Sequence, residues 1–196
     1  GSTIIPMNPQ IQEINEKPEE NFFKEVIKFT LVALIIIIPI RTYVAQPFLV
    51  SGPSMDPTFT SGQYLVVDQV TYHFQKPQRG DVVIFRYPRD PKIYYIKRII
   101  GLPGETVSAD TGKITIKNTG HPDGILLNDS YISKDHRTSE TFEINLGSTE
   151  YFVMGDNRAE SSDSRLWGPL DERFIVGRPI IRLFPFNKIT VLPGKE

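Results

Sequence analysis

Ser54 lies in a short segment whose composition suits a nucleophile. Residues 51–58 read SGPSMDPT, so Pro53 and Pro57 flank the serine just after the one long apolar run of the chain. Proline fixes its own φ and restricts the residue before it, which makes the loop stiff. A stiff loop holds a side chain at a set angle, as a nucleophile requires. An ordinary turn has the same composition and is the competing interpretation.

Lys97 falls inside an apolar segment, residues 94–104, that predicts a strand ending in a Gly/Pro turn. Strand alternation places Tyr95, Lys97 and Ile99 on one face. If that face is buried, the ammonium loses water and its pKa falls, and a neutral lysine is a usable general base. A lysine at a strand edge with its head group in water is the competing interpretation.

A third segment, residues 155–165, reads GDNRAESSDSR between two apolar stretches. So many polar groups between apolar elements predict a hydrogen-bonded network that supports a site, although a solvated turn has a similar composition.

Together these segments resemble the boxes of the type I signal peptidases, the membrane-bound Ser/Lys proteases that remove signal peptides from exported proteins. Residues 54–58 are similar to the nucleophile box, 97–104 to the general-base box and 155–165 to the last box, and residues 79–85 match a strand box between the first two. The resemblance covers about residues 22–186. It implies a mainly β protein with an N-terminal single transmembrane helix, followed by a β-barrel-like Ser/Lys protease domain with an inserted small β subdomain.

The resemblance implies a membrane-anchored serine endopeptidase that cleaves signal peptides from exported preproteins after small residues, at sites of the Ala-x-Ala type. Ser54 would attack the scissile carbonyl, Lys97 would take its proton, and Ser161 would orient the lysine as the third group of a triad does. Ser162 adjoins Ser161, so a one-residue shift in this match stays open. Scaffold roles, as two charge pairs, are expected for Asp156 with Arg158 and Asp163 with Arg165.

The oxyanion hole would use the Ser54 backbone N–H. Some family members add a serine hydroxyl two residues before the nucleophile, but that position is Gly52 here, which leaves the second donor unidentified. The substrate pockets would be formed, by motif position, by Val50, Ser51, Met55, Tyr95 and Ile96, with the peptide docked as an added strand. Apolar side chains expected near the bilayer are Phe48, Leu49, Met55 and Phe59.

Composition excludes several other kinds of site. The 196 residues contain no cysteine, so a disulfide framework, a thiol nucleophile and a zinc–cysteine site are excluded. The three histidines show no metal-ligand spacing, and we expect neither a metal nor a cofactor. The net charge of −1 gives no sign of a nucleic-acid partner.

The domain prediction divides the chain into three parts. Residues 1–21 are a polar tail, residues 22–44 a transmembrane anchor, and residues 45–196 an extracytoplasmic catalytic β domain. A short apolar core followed by a Tyr-Val-Ala sequence is also typical of a cleaved secretory signal peptide. If the anchor is retained, the lysines before the apolar run favour an N-terminus on the cytoplasmic side of the cytoplasmic membrane. Signal peptides and the lipid bilayer are the expected partners.

Short strands dominate the predicted catalytic domain, and residues 105–150 are interpreted as the inserted β subdomain because they carry no candidate catalytic group. The pattern predicts a turn over 88–92, a hairpin over 106–116, a turn-rich loop over 118–124 and a strand over 125–132. Strands are also predicted over 64–70, 81–87 and 174–186, and residues 141–154 are expected to return to the core.

Two other functions remain open. A related self-cleaving repressor would couple the Ser/Lys domain to a DNA-binding helical module, whereas this N-terminus is apolar. A non-catalytic extracytoplasmic module could bind peptide on the same fold, although the presence of both Ser54 and Lys97 favours turnover.

Overall fold

The computed structural model describes residues 20–39, 45–129, 132 and 139–194. Residues 1–39 and 40–196 form two compact units. Most of the predicted tail, the end of the predicted anchor and part of the strand predicted over 125–132 lie outside the described residues.

The first unit contains one long helix, α1, over Glu20–Pro39. Its charged residues lie in the first half, and its apolar side chains from Phe22 to Ile38 are exposed on all sides. Among the residues that the structure describes, no helix has the combined length and apolar character needed to cross a membrane.

The second unit is mainly β, as predicted, and its larger sheet carries the candidate site. The strands run in the order β1-β2-β11-β3-β4-β9-β10, and β12 pairs with β11. All pairings are antiparallel. The bounds are β1 Ala45–Leu49, β2 Tyr64–Asp68, β3 Val82–Tyr87, β4 Asp90–Gly101, β9 Glu150–Met154, β10 Leu170–Asp171, β11 Ile175–Phe184 and β12 Thr190–Val191.

A smaller sheet of four strands, in the order β7-β6-β5-β8, lies within residues 105–150. Its bounds are β5 Thr106–Asp110, β6 Lys113–Asn118, β7 His121–Leu126 and β8 Phe142–Asn145. A short helix, α2 (Ser164–Trp167), follows the polar segment after β9.

Three local predictions differ from the structure. The strand predicted over 125–132 is present only as far as Leu126, the last residue of β7, and residues 127–129 are not in a strand. Residues 118–124 form a hairpin rather than a loop, because β7 pairs with β6 from His121 onward. Pro122 is tolerated there since β7 is an edge strand, where a missing N–H costs no ladder hydrogen bond. The turn expected over 88–92 is shorter, since Asp90 already pairs with Tyr87 and begins β4.

Three apolar clusters hold the second unit together. One joins the smaller sheet to β4 and β9, a second fills the space between β3, β4 and β9, and a third lies beneath the loop after β1. Met55 and Phe59 belong to the third cluster and are fully buried. The expectation that these two side chains face a bilayer was therefore wrong: they anchor the loop from below.

Candidate active site

Ser54 and Lys97, which are 43 residues apart in sequence, meet in the structure. Lys97 Nζ lies 2.7 Å from Ser54 Oγ and 2.9 Å from the backbone carbonyl oxygen of Ile96. Ser54 belongs to the loop between β1 and β2, and Lys97 belongs to β4, whose segment from Lys97 to Gly101 is buried throughout. The hydroxyl and the amine are therefore at proton-transfer distance.

Burial shifts the ionisation of the lysine. Lys97 is 3% exposed, and loss of water lowers its pKa from 10.5 to about 8, an effect that the negative charges of Asp163 and Asp156 oppose. A substantial fraction of Lys97 is then neutral in mildly alkaline solution. A neutral amine at 2.7 Å from a hydroxyl is able to accept its proton.

The loop that carries Ser54 is fixed at both ends and from one side. Val50 N–H donates to the Gln63 carbonyl, and Gly62 N–H donates back to the Val50 carbonyl, each at 2.9 Å, which closes the loop at its base. Asn157 N–H donates to the Ser54 carbonyl at 3.1 Å, so the segment after β9 holds the backbone of Ser54 itself. This arrangement provides the stiffness that the two prolines predicted.

A buried ion pair supports the loop that carries Ser54. Arg98 Nε and Nη2 donate to the two carboxylate oxygens of Asp156 at 2.8 and 2.6 Å, and both side chains are almost completely buried. Thr58 Oγ1 donates to the same carboxylate at 2.6 Å, which ties the Ser54 loop to it. Arg98 Nη1 also donates to the carbonyls of Gly80 and Gly194.

The partner of Asp156 is thus Arg98. The expectation from the sequence that Asp156 pairs with Arg158 was wrong. Arg158 Nε instead donates to the Gly155 carbonyl at 3.1 Å. Sequence reasoning missed Arg98 and Thr58, although an arginine inside an apolar strand signals a buried partner, since arginine is rarely buried unpaired.

The second expected charge pair is present. Arg165 donates to both carboxylate oxygens of Asp163, Nε to Oδ1 at 2.8 Å and Nη2 to Oδ2 at 2.9 Å. Asp163 Oδ2 also accepts from the Gly155 N–H at 3.0 Å. This carboxylate therefore orients the segment that in turn contacts Ser54.

Ser161 lies beside the site without binding the lysine. Its Oγ is buried and has no hydrogen-bond partner among the described residues. The side chain packs against Gly155, so closely that a Cβ at that glycine would clash with Ser161 Oγ and with the Ser54 carbonyl. The lysine amine is held by the Ile96 carbonyl instead, and the orienting role of Ser161 stays a prediction.

A cleft of about 250 Å³ opens next to Ser54 and Lys97. Four of the five expected pocket residues line it: Val50, Ser51, Tyr95 and Ile96. Met55 does not, because it is buried in the core below the loop. Ser162 lines the cleft, whereas Ser161 does not. Within the described part of the chain, no cluster of three or more His, Cys, Asp or Glu side chains is arranged to hold a metal ion.

Comparison with known proteins identifies the family to which the chain is similar. Residues 23–184 match the family model described as signal peptidase, peptidase S26. A probable signal peptidase I-1 of Synechocystis is 36% identical over 174 residues, which cover 85% of each chain. Signal peptidase I T of Bacillus subtilis is 35% identical, covering 90% of this chain and 93% of that protein. A crystal structure of a signal peptidase I from Enterococcus faecalis is similar over 53% of this chain and 97% of its own, with 32% identity and a TM-score of 0.45.

The site brings a serine hydroxyl into contact with a buried lysine amine, the pair of groups that a serine peptidase with a lysine base would need. The chain belongs to the signal peptidase family, peptidase S26. It is a serine endopeptidase that cleaves signal peptides.

Proposed function

We propose that Ser54 is the nucleophile and Lys97 the general base of this endopeptidase, acting on the signal peptides of exported preproteins. The observation that carries the proposal is the 2.7 Å contact between Ser54 Oγ and the Nζ of a lysine that is 3% exposed. A lysine with its ordinary pKa would be protonated and unable to accept a proton, so burial and contact are both required.

The reaction proceeds through an acyl-enzyme. Ser54 Oγ bonds to the scissile carbonyl carbon while its proton passes to Lys97 Nζ. The C–N bond then breaks, and Lys97 returns the proton to the departing amine. A water molecule hydrolyses the ester, giving one proton to Lys97, which passes it back to Ser54 Oγ.

The Ser54 backbone N–H is one donor for the oxyanion. Among the described residues it makes no hydrogen bond of its own, so it is available to a substrate oxygen. Gly52 has no hydroxyl to offer, and its N–H points towards Ser61 Oγ at 3.4 Å. A second donor is not identified among these contacts.

The scissile peptide docks as an added strand along β4. Within the described residues, β4 pairs with β9 only over Arg98–Gly101, so the edge of Tyr94–Ile96 that faces away from β3 has no strand partner. That edge borders the cleft beside Ser54. Unpaired backbone groups at an edge recruit an extended peptide, and a cleft of only about 250 Å³ favours small side chains before the cut.

Helix α1 holds the enzyme at the cytoplasmic membrane, with the catalytic domain on the extracytoplasmic side. The support for this step is the run of apolar side chains from Phe29 to Ile38, which are exposed around the helix as in segments that contact lipid. The 196-residue chain should float with liposomes of neutral phospholipid. Ile36→Asp in this run should weaken flotation, and Val191→Asp, at an exposed apolar position of β12, should not.

The test is cleavage of a preprotein with an Ala-x-Ala site in detergent micelles between pH 6 and 10. The wild type should cut after the second alanine, and Ser54→Ala and Lys97→Ala should both lose activity by about 10⁴-fold or more, as removal of a nucleophile or its base does in serine proteases. Thr190→Ala, an exposed hydroxyl in β12, is the matched control and should be fully active. Activity that survives Lys97→Ala would show that another group is the base.

A further inference from the structure

Tyr95 lies in an aromatic cluster that ends at the lysine of the proposed dyad. The Tyr95 and Tyr87 rings stack with centroids 4.7 Å apart and planes at 27°. Phe85 meets Tyr95 edge-on at 6.2 Å, and Trp167 packs on both Phe85 and Tyr87. The cluster therefore fixes the plane of the Tyr95 ring.

The lysine amine lies over that ring. Lys97 Nζ is 5.3 Å from the Tyr95 ring centroid, within the range of a cation–π contact. The two residues are two apart on one strand and share a face, whereas Tyr87 lies diagonally across on β3, towards the hairpin. Tyr95 thus has Tyr87 on one side and the amine on the other.

The charged groups around Lys97 are already paired. The negative charges of Asp156 and Asp163, in the segment after β9, act on it from a distance, and each carboxylate is held by two donors of a guanidinium, Arg98 and Arg165 respectively. On the same face, β3 contributes the apolar residues Val83 and Phe85 opposite Lys97 and Tyr95. The nucleophile loop contributes the Ser54 hydroxyl.

When Lys97 takes the proton from Ser54, an ammonium forms in this site, and the carboxylates nearby are committed to their own cations. We propose that the electron-rich ring of Tyr95 stabilises this ammonium, and that Tyr87 acts as a positioning residue that holds the ring in place. This role rests on the proposed dyad and is distinct from lining the substrate cleft, because it acts on the protonation of the base.

The direction in which the pKa of Lys97 changes when the Tyr95 ring is removed distinguishes a cation–π contact from simple exclusion of water. A cation–π contact stabilises the protonated lysine, so Tyr95→Leu, which stays apolar but lacks the ring, should move the acid limb of kcat down by about one pH unit. If the ring served only to exclude water, the smaller leucine would admit solvent and move the limb up. Tyr95→Phe retains the ring and should leave the limb within about 0.3 pH unit of wild type.

The experiment measures kcat and KM from pH 6 to 10 for the wild type, Tyr95→Leu, Tyr95→Phe and Tyr87→Leu with a signal-peptide substrate in detergent. Tyr87→Leu should shift the limb in the same direction but by less. Tyr94→Leu is the matched control. It removes a neighbouring ring that also lines the cleft but that contacts Arg86 rather than Lys97. This variant should leave the acid limb of kcat in place, whatever its effect on KM.

A direct titration tests the same inference without turnover. The ¹³Cε signal of Lys97, assigned by its loss in Lys97→Met, should titrate at lower pH in Ser54→Ala/Tyr95→Leu than in Ser54→Ala alone. An unchanged or raised midpoint in both measurements overturns the role of Tyr95. If Lys97→Ala keeps its activity while the Tyr95-dependent shift in the NMR midpoint persists, the dyad is wrong and the ring contact stands.

Discussion

The proposed general base should make the folded protein less stable than an uncharged side chain would. Burial lowers the pKa of Lys97 from 10.5 to about 8. Below pH 8 the amine is protonated in both states but binds its proton less tightly in the folded protein, so its burial lowers the free energy of unfolding. At about 1.4 kcal/mol per pKa unit, the penalty is about 3 kcal/mol. Lys97→Met removes it with little change in shape, but leaves the Ile96 carbonyl without its donor, which costs about 1 kcal/mol.

We therefore expect Lys97→Met to be inactive yet more stable by about 2 kcal/mol at pH 7, which raises Tm by about 4 to 8 °C. Because the folded pKa lies below the unfolded one, wild-type stability recovers as pH rises from 8 to 10.5, and the gain of the variant should shrink over that range.

The assay is thermal unfolding of the full chain in detergent at pH 7, 8, 9 and 10, followed by the fluorescence of Trp167, the single tryptophan. Trp167 packs in the cluster next to the site and reports its loss. Lys113→Met, at an exposed position of β6, is the matched control and should show no pH-dependent difference from wild type. A variant no more stable than wild type at pH 7, or one whose gain is equal at pH 7 and 10, would refute the reasoning.

Two further substitutions test the support of the nucleophile loop. Asp156→Asn leaves its buried arginine partner uncompensated and should lower the free energy of unfolding by about 3 to 5 kcal/mol, whereas Glu172→Gln, in an exposed pair, should cost less than about 1 kcal/mol; denaturant unfolding compares the two. Gly155→Ala would place a methyl group against the Ser54 carbonyl and should reduce kcat by about 10²-fold with a smaller effect on KM. Gly120→Ala, where a Cβ meets nothing closer than 3.5 Å, should keep full activity, and equal kcat values in both alanine variants would contradict the proposed contact.

The sequence was sufficient to predict the mainly β fold and to select the two residues that meet at the site. Strand alternation and apolar neighbours left Lys97 open between a buried base and a lysine at a strand edge, and the resemblance to the signal peptidase boxes selected it. Residues 106–116 form the predicted hairpin. Such features are predictable because they depend on residues close in sequence.

Contacts between distant segments were not predictable in the same way. The sequence offered Arg158, two residues away, as the partner of Asp156, but strand pairing of Arg98 with Met154 brings the more distant arginine to it. Met55 reads as a surface residue near a serine, yet the direction of the loop turns it into the core. Propensity alone also mistook β7 for a loop, since Pro122 and Gly124 disfavour strands except at an edge.

Lys97 and Arg98 are adjacent basic residues, and both are buried, with exposed fractions of 3% and 2%. The two side chains need opposite surroundings. Arg98 is structural, so a carboxylate and two carbonyls compensate its permanent charge. The same surroundings would hold Lys97 protonated and prevent it from acting as a base. Strand alternation resolves the conflict, because it sends Arg98 to the side of Asp156 and Lys97 to the side of Ser54 and Tyr95. On that side the contacts of the lysine are a hydroxyl, a carbonyl and an aromatic ring, which tolerate the charge when it forms but do not require it.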